Sequence, residues 1–130
     1  MADMNERERR DQGMKVRRAV LGDQHVDNAQ QNTNAFNAEF QDLITRYAWG
    51  EIWSRPSLPL QTRSLLTVAM LVALNRGDEL RLHLRGALRN GVSQDEIKEV
   101  LLQSAIYCGV PAANSAFQVA AEVFQEQNPK

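Results

Sequence analysis

Three side chains in the stretch NRGDELRLHLRG, residues 75–86, have types and spacing suited to joint chemistry: Arg76, Glu79 and His83. On a helix at about 100° per residue, Glu79 and His83 fall one turn apart on a single face, and Arg76 lies one short turn earlier. A carboxylate beside an imidazole favours the protonated ring, which makes a histidine a proton donor near neutral pH. A guanidinium holds a carboxylate in a bidentate fork. On the same helix Leu80, Leu84, Ala87 and Leu88 form an apolar arc, and Arg81, Arg85 and Arg89 a basic stripe. Glu79, His83 and Gly86 share a third face bordered by Leu80 and Leu82. Two readings follow: a polar notch between apolar walls, or a surface Glu–His pair worth about 0.2–0.5 kcal/mol.

Other chemistries have less to stand on. A metal site would draw on His25 and His83, without a His-x-x-x-His or a cysteine pair to add ligands. Cys108, within Tyr107-Cys108-Gly109-Val110-Pro111, reads more easily as a buried helix end than as a nucleophile. The tripeptide Arg76-Gly77-Asp78 as an adhesion signal needs an exposed loop on an exported protein, and a lone cysteine suits a reducing cytoplasm instead. With 15 basic and 16 acidic residues the formal charge is −1, which gives no long-range field for nucleic acid or for an anionic membrane. The charged opening MADMNERERRDQG lacks the apolar core of a signal peptide. The apolar run Val68 to Leu74 is too short to span a bilayer. The expectation is a soluble cytoplasmic protein acting on a small molecule.

The elements that must position these residues are helices, since no segment alternates with the period of a strand. At 130 residues the chain reads as one domain, with residues 1–33 an N-terminal helix and polar segment and 34–127 a helical core. A first helix covers Asn5 to Leu21 and stops at Gly22; its mixed charges read as a solvated face. Asp23 to Thr33, rich in Gln and Asn, includes a loop. A second helix runs from Asn34 to Trp49, with Phe36, Phe40, Leu43, Ile44 and Tyr47 at helical spacing and Gly50 as its C′ residue. Pro56 and Pro59 make EIWSRPSLPL a connector that carries Glu51, Trp53 and Arg55. The third helix, Leu60 to Leu74, is apolar nearly all round and should be buried on every side, centrally and by another subunit at once. A fourth spans Asp78 to Asn90 and stops at Gly91. A fifth opens on the capping box Ser93-Gln94-Asp95-Glu96. Pro111 starts a last helix of small residues. The class is all-α.

Long stretches of the chain resemble one family. RRAVLGDQHVD at 17–27, YAWGEIWSRPSLPLQTRSLLTVAML at 47–71, ALNRGDELRLHLRGALRNGVSQDEIKEVLLQ at 73–103 and YCGVPAANSAF at 107–117 are similar to the carboxymuconolactone decarboxylase family, within the wider AhpD-like superfamily. The resemblance implies an AhpD-like helical bundle of about six helices, assembled as a homo-oligomer, a hexamer by family likeness. Redox members of the superfamily carry Cys-x-x-Cys with a histidine four residues on. Here those positions hold Arg76, Glu79 and His83, so no dithiol cycle can operate at this place.

What the resemblance implies is cofactor-free decarboxylation of 4-carboxymuconolactone, a dicarboxylate lactone, to the 3-oxoadipate enol-lactone in protocatechuate degradation by the β-ketoadipate pathway. The lactone carbonyl is its own electron sink, so neither metal nor organic cofactor is needed. The protein must hold two carboxylates, stabilise a dienolate and protonate the α carbon. Side-chain chemistry makes His83 the candidate acid, oriented by Glu79 or Glu51. Arg76 is the candidate anchor, with Arg55 and Arg63 as alternatives for the same task. Trp53, Leu82 or Tyr107 would form an apolar wall, and His25 would enter from the N-terminal segment. Structural readings stand beside these: Glu51, Arg55 and Arg63 as ion pairs bracing the connector, and Trp49 and Trp53 as core. Competing functions are a lyase or isomerase acting on a related lactone, or a non-catalytic oligomer that binds a small anion.

Overall fold

Helix after helix, with no strand, makes up the computed structural model, which describes residues 4–128. The helices fall into two compact units, Met1–Pro59 and Leu60–Lys130, divided within the proline-containing connector.

In the first unit α1 (Glu6–Leu21) is capped by Asn5, whose side-chain oxygen accepts from the Glu8 N–H at 2.8 Å. It ends at Gly22, whose φ of 89° suits a residue without a Cβ. The chain re-enters helix at once as α2 (Asp23–Gln31), so most of the polar segment is helical. The reason is local. Asp23 sits favourably in the first turn, Val26 is buried, and Arg18 binds Asp23 and Asp27. The loop begins at Asn32, and the next helix starts later than Asn34. Asn34 Oδ1 accepts from the N–H groups of Phe36 and Asn37 and turns the backbone out of helix. Phe36, expected on an apolar face, is 97 % exposed.

Helix α3 (Ala38–Leu43) then widens into a π-helix (Ile44–Trp53) that runs past Gly50. Gly50 is therefore no C′ residue. A Cβ there would lie 2.3 Å from the Arg9 carbonyl oxygen, and one at Gly13 would lie 1.9 Å from that of Thr45. These two glycines let α1 and the π-helix meet backbone to backbone. Glu51 and Trp53 are consequently helical rather than part of a connector. Trp49 and Trp53 are buried and stacked, their ring centroids 4.9 Å apart.

The second unit is four helices around one core: α4 (Leu60–Ala73), α5 (Gly77–Arg89), α6 (Gln94–Tyr107) and α7 (Val110–Gln127). Val68 and Val72 meet Leu80, Leu84, Ala87, Ile97, Leu101, Ala116, Ala120 and Val123 there. The helix ends follow from named groups. At the end of α4 the Arg76 N–H donates to the Leu71 carbonyl and the Asn75 N–H to that of Val72, a Schellman motif with Asn75 at φ 58°. The same pair of bonds ends α5, with Gly91 at φ 91°. Ser93 and Glu96 form the expected reciprocal box. Only one face of α4 is buried, with Ser64, Val68 and Val72 inward and Leu66 and Met70 exposed. Burial on every side is thus not met within one chain, because a four-helix core needs one stripe from each helix.

Candidate active site

The Schellman turn delivers Arg76 to the head of α5, where its Nη2 donates to Glu79 Oε1 at 2.8 Å. One turn on, His83 follows Glu79 on the helix face. It is half-buried, and its Nδ1 is shielded from solvent. The Arg76 hydrogen bond holds the Glu79 carboxyl below the usual carboxylate range, and the charge of His83 pulls it the same way. Glu79 in turn raises the Arg76 pKa. Both members of the ion pair remain largely solvated, which keeps the pair weak. The structure thus brings the guanidinium of Arg76, the carboxylate of Glu79 and the imidazole of His83 together. The basic stripe is otherwise engaged: Arg81 binds Glu122, and Arg85 binds Glu126 through two hydrogen bonds.

The remaining candidates stand in other settings. Glu51 is bound by Arg9 at 3.4 Å. Arg9 also pairs with Glu6 and lies over the Tyr47 ring. Trp53 is buried against Trp49, while Arg55 is exposed just beyond the π-helix. Arg63 is half-buried on α4. His25 is half-buried on α2; burial, and then the charge of Arg17, push its pKa down. Tyr107 is exposed at the end of α6 and, with Cys108, lines an apolar groove of about 330 Å³ between α4 and α6. Its lining holds no charged side chain; Thr62, Gln103, Ser104 and Tyr107 are its polar members. A much smaller cleft of about 20 Å³ lies beside Arg76 and Leu80.

With this geometry in hand, comparison with known proteins is decisive for kinship. The carboxymuconolactone decarboxylase family profile matches residues 38–122, from α3 to α7. The chain belongs to the carboxymuconolactone decarboxylase family. The family match therefore covers Arg76, Glu79 and His83 as well as the π-helix. One similar relative is a 4-carboxymuconolactone decarboxylase of Acinetobacter baylyi, 53% identical over 95% of this chain and 92% of the relative. A nitrosuccinic acid decarboxylase of Metarhizium robertsii is 42% identical over 92% of this chain and 84% of its own length. A 4-carboxymuconolactone decarboxylase sequence of Pseudomonas putida, matched over its whole length, is 58% identical to 37% of this chain.

Sequence reasoning missed Arg17. It treated the charges of α1 as solvated, yet Gly13, Arg17, Val20 and Leu21 form the buried face of that helix. The spacing 13, 17, 20, 21 was the available signal, hidden because an arginine occupies one of its four positions. The π-helix left no comparable signal, since a widened turn differs from an ordinary one by a single residue.

Proposed function

We propose that this family member decarboxylates 4-carboxymuconolactone to the 3-oxoadipate enol-lactone, the carboxy-lyase step of protocatechuate degradation. The observation that carries the reading is 53% identity over 95% of the chain to a relative of that name. The chemistry asks for a carboxylate anchor and a proton donor, and Arg76 and His83 supply those groups at the two ends of the first turns of α5.

The steps follow from the substrate. The bond between the γ carbon and its carboxylate breaks, carbon dioxide leaves, and the electron pair moves through the ring double bond onto the lactone carbonyl oxygen. His83 then gives its proton to the α carbon, which yields the enol-lactone and a neutral imidazole that solvent reprotonates. Glu79 favours the protonated imidazole before the step. Arg76 holds a carboxylate or the dienolate oxygen. Because the lactone accepts the electrons, the residues need only bind, orient and move one proton, and we assign no cofactor. We further propose that the protein works as a homo-oligomer in the cytoplasm, a hexamer by family likeness. Exposed apolar side chains on α4 and around the end of α6 (Leu66, Met70, Ile106, Tyr107) suit contact with further copies. Among the described residues no helix is long and apolar enough to cross a membrane.

A second reading is favoured by the nitrosuccinic acid decarboxylase relative. Nitrosuccinate is also a dicarboxylate with an internal electron sink, its nitro group, so the same residues could serve. The test is a comparison of kcat/KM for freshly generated 4-carboxymuconolactone and for nitrosuccinate on the purified chain. The lactone should be preferred by about a hundredfold or more, since shape-matched carboxylate contacts discriminate strongly. Preference for nitrosuccinate would overturn the first reading in favour of the second. No turnover of either would leave the non-catalytic anion binder.

A further inference from the structure

Arginines of α5 and the turn before it hold carboxylates in two different ways. Arg81 and Arg85 reach across to α7, where Arg81 binds Glu122 and Arg85 closes a complete fork on Glu126, Nε at 2.9 Å and Nη2 at 2.7 Å. Those pairs tie two helices together. Arg76 instead pairs within its own turn: Nη2 donates to Glu79 Oε1 at 2.8 Å, three residues on. This pair joins no two elements. The backbone at Arg76 is already fixed, its N–H donating to the Leu71 carbonyl at 3.0 Å and its carbonyl accepting from the Leu80 N–H at 2.8 Å. The Arg76 and Glu79 side chains are 60 % and 45 % exposed, so their contact seals no core either.

A guanidinium offers a carboxylate two forks, and Nη2 belongs to both. Arg85 shows a filled fork, whereas Arg76 gives Glu79 a single bond. A carboxylate arriving on either fork of Arg76 meets Glu79 at the shared nitrogen, and two like charges a few ångströms apart repel. Asp78 acts on the same guanidinium through its charge, but the hydrogen bond goes to Glu79. Glu79 also has a second group within reach. His83 is four residues on in α5, the spacing at which helical side chains meet. One carboxylate thus stands between a guanidinium three residues back and an imidazole four residues on, and here the guanidinium holds it.

We propose that Glu79 is an internal stand-in for the substrate carboxylate: it occupies the Arg76 guanidinium until a substrate carboxylate takes its place, and then turns to His83. Glu79 is a positioning residue in this scheme. The exchange couples the two ends of the site, because binding at the anchor sends a negative charge to the imidazole and so favours the proton donor when substrate is in place. No covalent bond forms or breaks in the exchange; one ion pair replaces another. The inference rests on the proposed decarboxylation for its substrate and on the Arg76–Glu79 pair for its device.

The probe is succinate, a dicarboxylate without the lactone's electron sink, titrated calorimetrically into the full-length chain beside steady-state kinetics on freshly generated 4-carboxymuconolactone. Apparent affinity falls by the fraction of the anchor that is open, and an exposed pair of this kind is closed about two to four times as often as open. Glu79→Gln should therefore tighten succinate by about three- to fivefold. It should lower KM in the same direction while kcat falls about tenfold or more. Asp78→Asn removes the same charge from the same turn without freeing Arg76; it should move the succinate Kd less than about twofold and keep parental kcat. Arg76→Met should weaken succinate by about tenfold or more. None of these three residues is buried, so the variants should fold. Unchanged or weaker succinate binding in Glu79→Gln overturns the proposal. So does an equal gain in Asp78→Asn, which would reduce the effect to net charge, or a parental kcat in Glu79→Gln, which would remove the turn to His83. Succinate that binds neither the parent nor Glu79→Gln, or that ignores Arg76→Met, overturns the exchange at this guanidinium. A parent protein that leaves the lactone untouched sinks the decarboxylation reading instead, and the succinate series alone then decides the exchange.

Discussion

Replacing Gly13 by alanine tests how the first unit is held together. The added Cβ would stand 1.9 Å from the Thr45 carbonyl oxygen and 2.8 Å from the Gly50 nitrogen, whereas ordinary contact begins near 3.4 Å. Both obstacles are backbone, so no side chain can swing aside, and α1 must move off the π-helix by about 1.5 Å on the shorter contact. Overpacking of this kind costs about 1–3 kcal/mol and sometimes more, and the upper end applies where two backbones collide. Alanine returns about 1 kcal/mol through its better helix propensity. The net loss is about 2 kcal/mol, a fall in Tm of about 8 °C for a chain this size. Thermal melts followed by far-ultraviolet circular dichroism read it directly. Gly77→Ala is the control, because a Cβ at Gly77 meets nothing within 4 Å; it should melt with or slightly above the parent protein. A Gly13→Ala protein melting within about 2 °C of the parent would refute the close-approach argument.

Three further outcomes are expected. Ser93→Ala removes the side-chain half of the capping box on α6 and should lower stability by about 1 kcal/mol, read from urea midpoints. His25 has a folded-state pKa below its ordinary 6.5, so the unfolded chain takes up the proton first; its contribution is full above that value and is lost as pH falls through the folded pKa. The stability difference between the parent protein and His25→Gln should accordingly shrink as urea unfolding is repeated from about pH 7 to about pH 5, and a constant difference would contradict it. His83→Ala should lower kcat by about a hundredfold to ten-thousandfold while leaving the melting curve and association state in place; near-parental kcat would remove His83 from the proton step.

What the sequence disclosed depended on how far each signal was local. The stops at Gly22 and Gly91 and the Ser93–Glu96 box were legible because the backbone groups they satisfy lie within a few residues. The trio Arg76, Glu79 and His83 was legible because one helix carries its last two members and the turn before it the first. The π-helix was not, and Gly50 was mistaken for a terminator, since its real task is to admit the Arg9 backbone from 41 positions away. Asn34 showed the opposite failure. Its side chain redirected two backbone N–H groups and ended an apolar periodicity that Phe36 seemed to extend. Arg17 stayed hidden because charge is a poor guide to burial when helices approach this closely.

The most direct test of the central claim counts products. The purified chain is given freshly generated 4-carboxymuconolactone, and carbon dioxide and enol-lactone are followed in parallel against an enzyme-free blank. The account predicts equimolar release of both, at a rate proportional to protein concentration and sharply reduced in His83→Ala. Folded protein that leaves the lactone to its uncatalysed rate would contradict it.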